Sequence, residues 1–176
     1  IAYGLKNFSK YLLNLMFKKK DLDFLEEKGL EKAFLKPLSR IRFTGDVWAL
    51  PEGELVFQHE PIIRVTAPIM EAQFFETFVI NTVNFQTLIA TKASRIVNSA
   101  KGRQVVDFGS RRAHGVDAGL KAARAGYIGG CVGTSNVLAG KKYGIPVYGT
   151  MAHSYVEAFP SEKEAFKAWL KTWGTD

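Results

Sequence analysis

The sequence predicts an α/β protein in two parts. Residues 1–100 are expected to form an α+β region with a long connecting helix, and residues 101–176 the first βα units of an α/β barrel with parallel strands. Three observations predict this. Apolar residues recur at helical spacing over residues 1–36 and again from Met70 to about Ala100. Between these, residues 41–68 carry strand-type alternation broken by turn residues. After Gly102, strand-like and helix-like runs alternate roughly every ten residues, the signature of βα units.

In the first helical stretch, "GLKNFSKYLLNLMF" puts Leu5, Phe8, Leu12, Leu15 and Met16 on one face. "FKKKD" at 17–21 reads as a solvated helix end, and Asp21 precedes "LDFLEEKGL", with Gly29 as its stop. Alternation at Ile41, Phe43, Val47 and Ala49, with turns at "TGD", "PEGE" and "HEP", predicts a small antiparallel sheet whose last strand ends at Pro68. The helix from Met70 is apolar on most faces, as expected of one buried within a domain or between subunits. "QVVDFG", "IGGCVG" and "IPVYGT" read as strands; "DAGLKAARAGY" and "TSNVLAGKKYG" read as the helices between them. Ser161 and Glu164 form a capping box for a last helix, "SEKEAFKAWLKTW". A closed α/β barrel needs about eight βα units. Since only about three are present, the chain reads as cut off in mid-barrel.

Composition narrows the function. Of 176 residues, 47% are hydrophobic and 23% charged, ordinary for a soluble globular protein. The net charge of +7 suits nucleic acid, an acidic membrane surface or polyanionic small substrates. No nucleic-acid motif accompanies it, so neither nucleic acid nor membrane is expected as a partner. Cys131 is the single cysteine and cannot close an internal disulfide, which favours a reduced compartment. One Cys and three separated His residues make no zinc pattern, and no metal-ligating residues are assigned. No apolar run reaches transmembrane length, and a cytoplasmic location is expected.

Three strand ends carry chemistry-bearing residues. At the first, Phe108-Gly109-Ser110-Arg111-Arg112 combines an aromatic that can stack on a flat ring with guanidinium forks for carboxylate or phosphate. A surface arginine pair making ordinary salt bridges would look the same. At the second, Gly133-Thr134-Ser135-Asn136 offers either free amides to an anion or simple helix capping. At the third, Gly149-Thr150-Met151-Ala152-His153-Ser154 places an imidazole that is either structural or a base, metal ligand or phosphoryl acceptor. His59 and His114 are expected at the surface, and Trp48, Trp169 and Trp173 in packing.

Four ordered blocks, "FTGDVWALPEGELVF", "NFQTLIATKASRI", "DFGSRRAHGVDAG" and "AGYIGGCVGTSNVLAGKKYGIPVYGTMAHSYVEAF", resemble the nicotinate phosphoribosyltransferase family. The resemblance runs from about Ile1 to Phe166. Nicotinamide and quinolinate phosphoribosyltransferases are similar to it. It implies an α+β domain beside an irregular α/β barrel, in a homodimer with shared active sites. It also implies transfer of phosphoribosyl from phosphoribosyl pyrophosphate to nicotinate, giving nicotinate mononucleotide in NAD biosynthesis. Mg²⁺ assists, and ATP is a co-substrate that phosphorylates a histidine. By position, Phe108 matches the ring-stacking aromatic, Arg111 the arginine beside ring and phosphoribosyl pyrophosphate, with Arg112 nearby. Thr150 matches a nicotinate-contacting threonine, and His153 the phosphorylated histidine. Ser135 stands where nicotinamide-using relatives carry an aspartate; a hydroxyl can donate to the anionic acid, whereas a carboxylate would repel it.

The resemblance also has gaps. The family's opening "T-D-x-Y-x-x-T-M" segment and everything past the third barrel strand have no counterpart here, so these 176 residues are expected to belong to a longer protein and to turn over nothing alone. A non-catalytic metabolite-binding paralogue or a nicotinamide- or quinolinate-type phosphoribosyltransferase is the alternative.

Overall fold

The structure is a computed structural model describing residues 1–174. Three short helices open it: α1 (Leu5–Leu13), α2 (Lys19–Glu27) and α3 (Lys32–Arg40). Phe8 and Leu12 of α1 are buried, as is Leu15 just beyond it, while Met16, expected on the same face, is exposed. The helix ends at Leu13, so the 3.6-residue period no longer applies to Met16. Asp21 lies inside α2 rather than before it, and its carboxylate accepts the Lys18 amide at 2.8 Å, capping the helix. The Ile41–Phe43 stretch, expected to alternate as strand, is instead the irregular exit from α3.

Strands β1 (Asp46–Ala49) and β2 (Ile63–Thr66) pair antiparallel, Asp46 opposite Thr66. Val47, Ile63 and Val65 turn inward onto Phe8 and Phe75. Trp48, expected in packing, faces solvent with 63% of its surface exposed. It holds the guanidinium of Arg64, its cross-strand partner, 5.5 Å from its ring.

Helix α4 (Ile69–Ser99) is 31 residues long. Within this chain one stripe is buried, made of Glu71, Phe75, Thr82, Gln86, Ala90 and Ala93. Its other apolar residues, such as Leu88 at 61% exposure, face outward. The small residues Ala90 and Ala93 let the next helical unit come close. A Cβ added at Gly129 would stand 2.5 Å from the Ala90 carbonyl, so only glycine fits there.

The second part begins with β3 (Val106–Asp107), then α5 (Val116–Ile128), β4 (Gly133–Thr134) and α6 (Val137–Tyr143). β3 and β4 are parallel, and Val147 adds a parallel bridge to Thr134, so three parallel segments lie side by side. They are shorter than expected, two residues or one bridge each. Helix α7 (His153–Glu157) was not foreseen; it supplies a packing partner for α8 (Glu162–Trp173). Tyr155 meets Trp169 edge-on at 5.4 Å. Trp173, expected in packing, is 69% exposed at the end of α8. Ser161 Oγ caps α8 by accepting the Glu164 amide.

Besides the Gly129 approach to α4, two further contacts hold the first residues of the chain and the Glu52 turn to the parallel unit. Tyr3 and Ala90 form one buried cluster with Ala125 of α5. Glu52 accepts the Gly4 and Lys6 amides on one carboxylate oxygen and pairs with Arg124 of α5 at 3.0 Å on the other.

Candidate active site

The three chemistry-bearing stretches all leave the carboxyl ends of adjacent parallel segments. In register, Asp107 of β3 sits beside Thr134 of β4, and Thr134 beside Val147. Phe108 and Ser135 are each one residue past their strand, and Thr150 is three past Val147. Ligands gather at such ends because the loops there are held by a rigid sheet.

At the first mouth, a 3₁₀ turn (Ser110–Arg112) follows Phe108-Gly109. Phe108, Arg111 and Arg112 are exposed, and neither arginine has an ion-pair partner among the described residues. All three line a cavity of about 790 Å³, walled on its far side by Phe85, Ile89 and Lys92 of α4. His114, expected at the surface, is exposed on this cavity's rim. The lining is mostly apolar, with three cations, Lys92, Arg111 and Arg112, set into it. Its single carboxylate, Asp107, has both oxygens engaged: Oδ1 accepts the Gly109 amide at 2.8 Å, and Oδ2 the Thr134 hydroxyl at 3.0 Å.

At the second mouth the lead-in residues cap the helix, while the Val137 and Leu138 amides that open it have no acceptor among the described residues. The Thr134 amide donates to the Pro146 carbonyl, the Ser135 amide to the Asp107 carbonyl, and the Asn136 amide to Thr134 Oγ1. Asn136 Oδ1 then accepts the Ala139 amide at 3.0 Å. These three N–H groups have protein acceptors and are not free for phosphate. The half-buried Ser135 hydroxyl has no hydrogen-bond partner among the described residues.

At the third mouth, Thr150 is exposed in the loop and His153 is exposed as the first residue of α7. Neither side chain hydrogen-bonds within the described residues. The cavity thus gathers Phe108, Arg111 and Arg112; Ser135, Thr150 and His153 flank it on the neighbouring strand ends without lining it. Cys131 lines the cavity from a buried position, where burial first and the Asp107 charge second push its thiol up, keeping it protonated.

Sequence reasoning missed Asp107 and the cavity lysine Lys92, and named Ser110 and Thr134 in their motifs without the bracing role. The signal for Asp107 was present: an Asp two residues before a Gly is an Asx turn, in which the carboxylate takes the glycine amide. Lys92 carried no local signal, because only the packing of α4 on α5 brings it near.

Family models match on both sides of the α4 C-terminal half: the nicotinate phosphoribosyltransferase N-terminal domain over residues 1–84, and the nicotinate phosphoribosyltransferase family over residues 103–172. The chain belongs to the nicotinate phosphoribosyltransferase family. It is 51% identical over 172 residues to a nicotinate phosphoribosyltransferase of Mycobacterium tuberculosis, covering 97% of this chain and 37% of that protein. The Bacillus subtilis nicotinate phosphoribosyltransferase is 48% identical over 170 residues, covering 96% of this chain and 35% of that protein. The chain therefore spans about a third of the length of the relatives it matches. A crystal structure of human nicotinic acid phosphoribosyltransferase superposes with a TM-score of 0.81 at 36% identity, over 90% of this chain and 33% of that one. Nicotinate-nucleotide pyrophosphorylase from Pyrococcus furiosus superposes at 0.67 and 31% identity, over 72% of this chain and 32% of that one. The mixed α/β architecture is thus the family's. Among the described residues, no helix is long and apolar enough to cross a membrane.

Proposed function

We propose that the intact protein transfers phosphoribosyl from phosphoribosyl pyrophosphate to nicotinate, releasing pyrophosphate and forming nicotinate mononucleotide for NAD biosynthesis. The observation that carries this is the cavity shared by Phe108, Arg111 and Arg112 at the mouth of β3 in a chain of this family. Every reactant is anionic. Phe108 offers a face to the pyridine ring, and the two guanidinium groups offer forks to carboxylate and phosphate oxygens. As the bond to pyrophosphate breaks, negative charge grows on the departing group, and Arg111 stabilises it where it develops. Ser135 and Thr150 stand on the adjacent strand ends; Ser135 is proposed to favour the acid over the amide and Thr150 to contact nicotinate.

His153 is proposed to take the γ-phosphoryl of ATP on an imidazole nitrogen. A P–N bond forms as the P–O bond to ADP breaks, and water later releases phosphate. Its exposure and its unpartnered ring support this role. Mg²⁺ is proposed to arrive with the pyrophosphate of the substrate: no group of three or more His, Cys, Asp or Glu among the described residues could hold it, and Asp107 is already engaged. A homodimer with shared active sites, a cytoplasmic location and no turnover by residues 1–176 alone belong to the same reading.

The test is pyrophosphate release by the intact protein with nicotinate and phosphoribosyl pyrophosphate, with and without γ-labelled ATP. Expected are nicotinate-dependent release, faster with ATP, and protein-bound label that disappears in His153→Ala. Release that ignores nicotinate sinks the transfer; undiminished label in His153→Ala sinks the phosphohistidine.

A further inference from the structure

We propose that Asn136 is a positioning residue for the arginine turn, its side-chain amide tying the start of α6 to Ser110 and so aiming Arg111 and Arg112 into the cavity. The inference rests on the phosphoribosyl-transfer reading for its substrates. Its geometry stands apart from that reading.

The two ends of the Asn136 amide do different jobs. Oδ1 accepts the Ala139 amide at 3.0 Å, which fixes the orientation of the group. Nδ2 then points to Ser110 Oγ at 3.2 Å, across 26 residues of sequence. Capping alone is served as well by Asp, Ser or Thr. A fixed donor beside the capping acceptor is what an amide adds.

The turn needs an external anchor. It is three residues long, is closed by Arg112 N to Gly109 O at 2.9 Å, and carries both arginines exposed and without ion-pair partners among the described residues. Two side chains brace it: Asp107 holds the Gly109 amide, and Asn136 holds Ser110. The braces are themselves linked, because Thr134 Oγ1 donates to Asp107 Oδ2 while accepting the Asn136 amide. Asp107, Thr134, Asn136 and Ser110 thereby lock two strand mouths into one unit. Fork recognition of an anion is sensitive to aim, so slack in this unit reads out in binding and rate.

The test compares the intact wild-type protein with Ser110→Ala, Asn136→Ser and the double variant, by steady-state kinetics and by calorimetric binding of inorganic pyrophosphate. Ser110→Ala leaves the α6 cap whole; Asn136→Ser keeps a capping oxygen too short to reach Ser110. Each single change is expected to lower kcat/KM for phosphoribosyl pyrophosphate, and pyrophosphate affinity, by roughly three- to tenfold, the range of one neutral hydrogen bond. The double variant should be no worse than the poorer single, because the same bond is lost, and Ser110→Thr should restore wild-type values. Multiplying losses in the double variant, or unchanged values in Ser110→Ala, overturn the proposal. A wild-type protein without nicotinate turnover overturns the transfer reading instead, and the pyrophosphate affinities across the same variants still decide the positioning role.

Discussion

Ser135 is the residue proposed to favour an acid over an amide substrate. Its hydroxyl, one residue past β4, has no hydrogen-bond partner among the described residues and could donate to a carboxylate. Ser135→Asp is expected to shift the ratio of kcat/KM for nicotinate over nicotinamide by at least roughly tenfold towards the amide, through like-charge repulsion of the acid. Paired kinetics with the two substrates check this, and an unchanged ratio removes Ser135 from the pocket. Tyr3 gives a second residue-scale prediction. Burial pushes its hydroxyl well above the tyrosine range, and the neighbouring Arg124 charge offsets only part of that. Below about pH 10 both folded and unfolded chains hold the proton. Above it only the unfolded chain releases it, so stability falls as pH rises. Thermal midpoints between about pH 9 and 11 should drop more steeply for wild type than for Tyr3→Phe. At neutral pH Tyr3→Phe should cost less than about 1 kcal/mol, since among the described residues the buried hydroxyl only approaches Arg124 and makes no well-formed hydrogen bond. Parallel slopes would contradict the assignment.

Among the elements, the contact of α4 with α5 decides where the cavity wall stands. Gly129 ends α5 against the Ala90 carbonyl and Ala93 Cβ, which an added methyl would meet at 2.5 and 2.7 Å. Gly129→Ala is expected to cost about 1–3 kcal/mol by overpacking, read as a lower urea midpoint at unchanged slope. A variant as stable as wild type would mean the two helices separate easily. The elements themselves were largely legible. The long helix was read within a residue at each end from apolar spacing, and α5 and α6 from runs alternating with strands, though the run for α6 was begun at Thr134, which belongs to β4. The third strand was legible only as a run, since a single bridge at Val147 depends on Thr134 lying beside it. Helix α7 escaped because five residues are too few for a period to show.

Over the whole molecule, Glu52 and Arg124 hold the N-terminal residues to the parallel unit, with side chains only 16% and 15% exposed. Arg124 also lies over the rings of Tyr3 and Tyr143, at 4.9 and 5.7 Å. Glu52→Ala would strand the guanidinium and release two backbone amides together. The expected loss is about 3–5 kcal/mol, the range for breaking one side of a buried pair, measured by chemical denaturation. A loss below about 1 kcal/mol would mark the pair as a surface contact.

Local pattern by itself determined most of the order of helices and strands, α7 apart, the family resemblance and the identity of the strand-end residues. Periodicity, caps and glycine placement act within a few neighbours in the chain. Which of those residues share a space was decided only by the tertiary structure. Phe108, Arg111 and Arg112 share a cavity with Lys92, while His153 stands on a neighbouring strand end. The wall that makes the cavity comes from α4, a separate element earlier in the chain, and it stands there because small residues at the α4–α5 contact let two backbones meet.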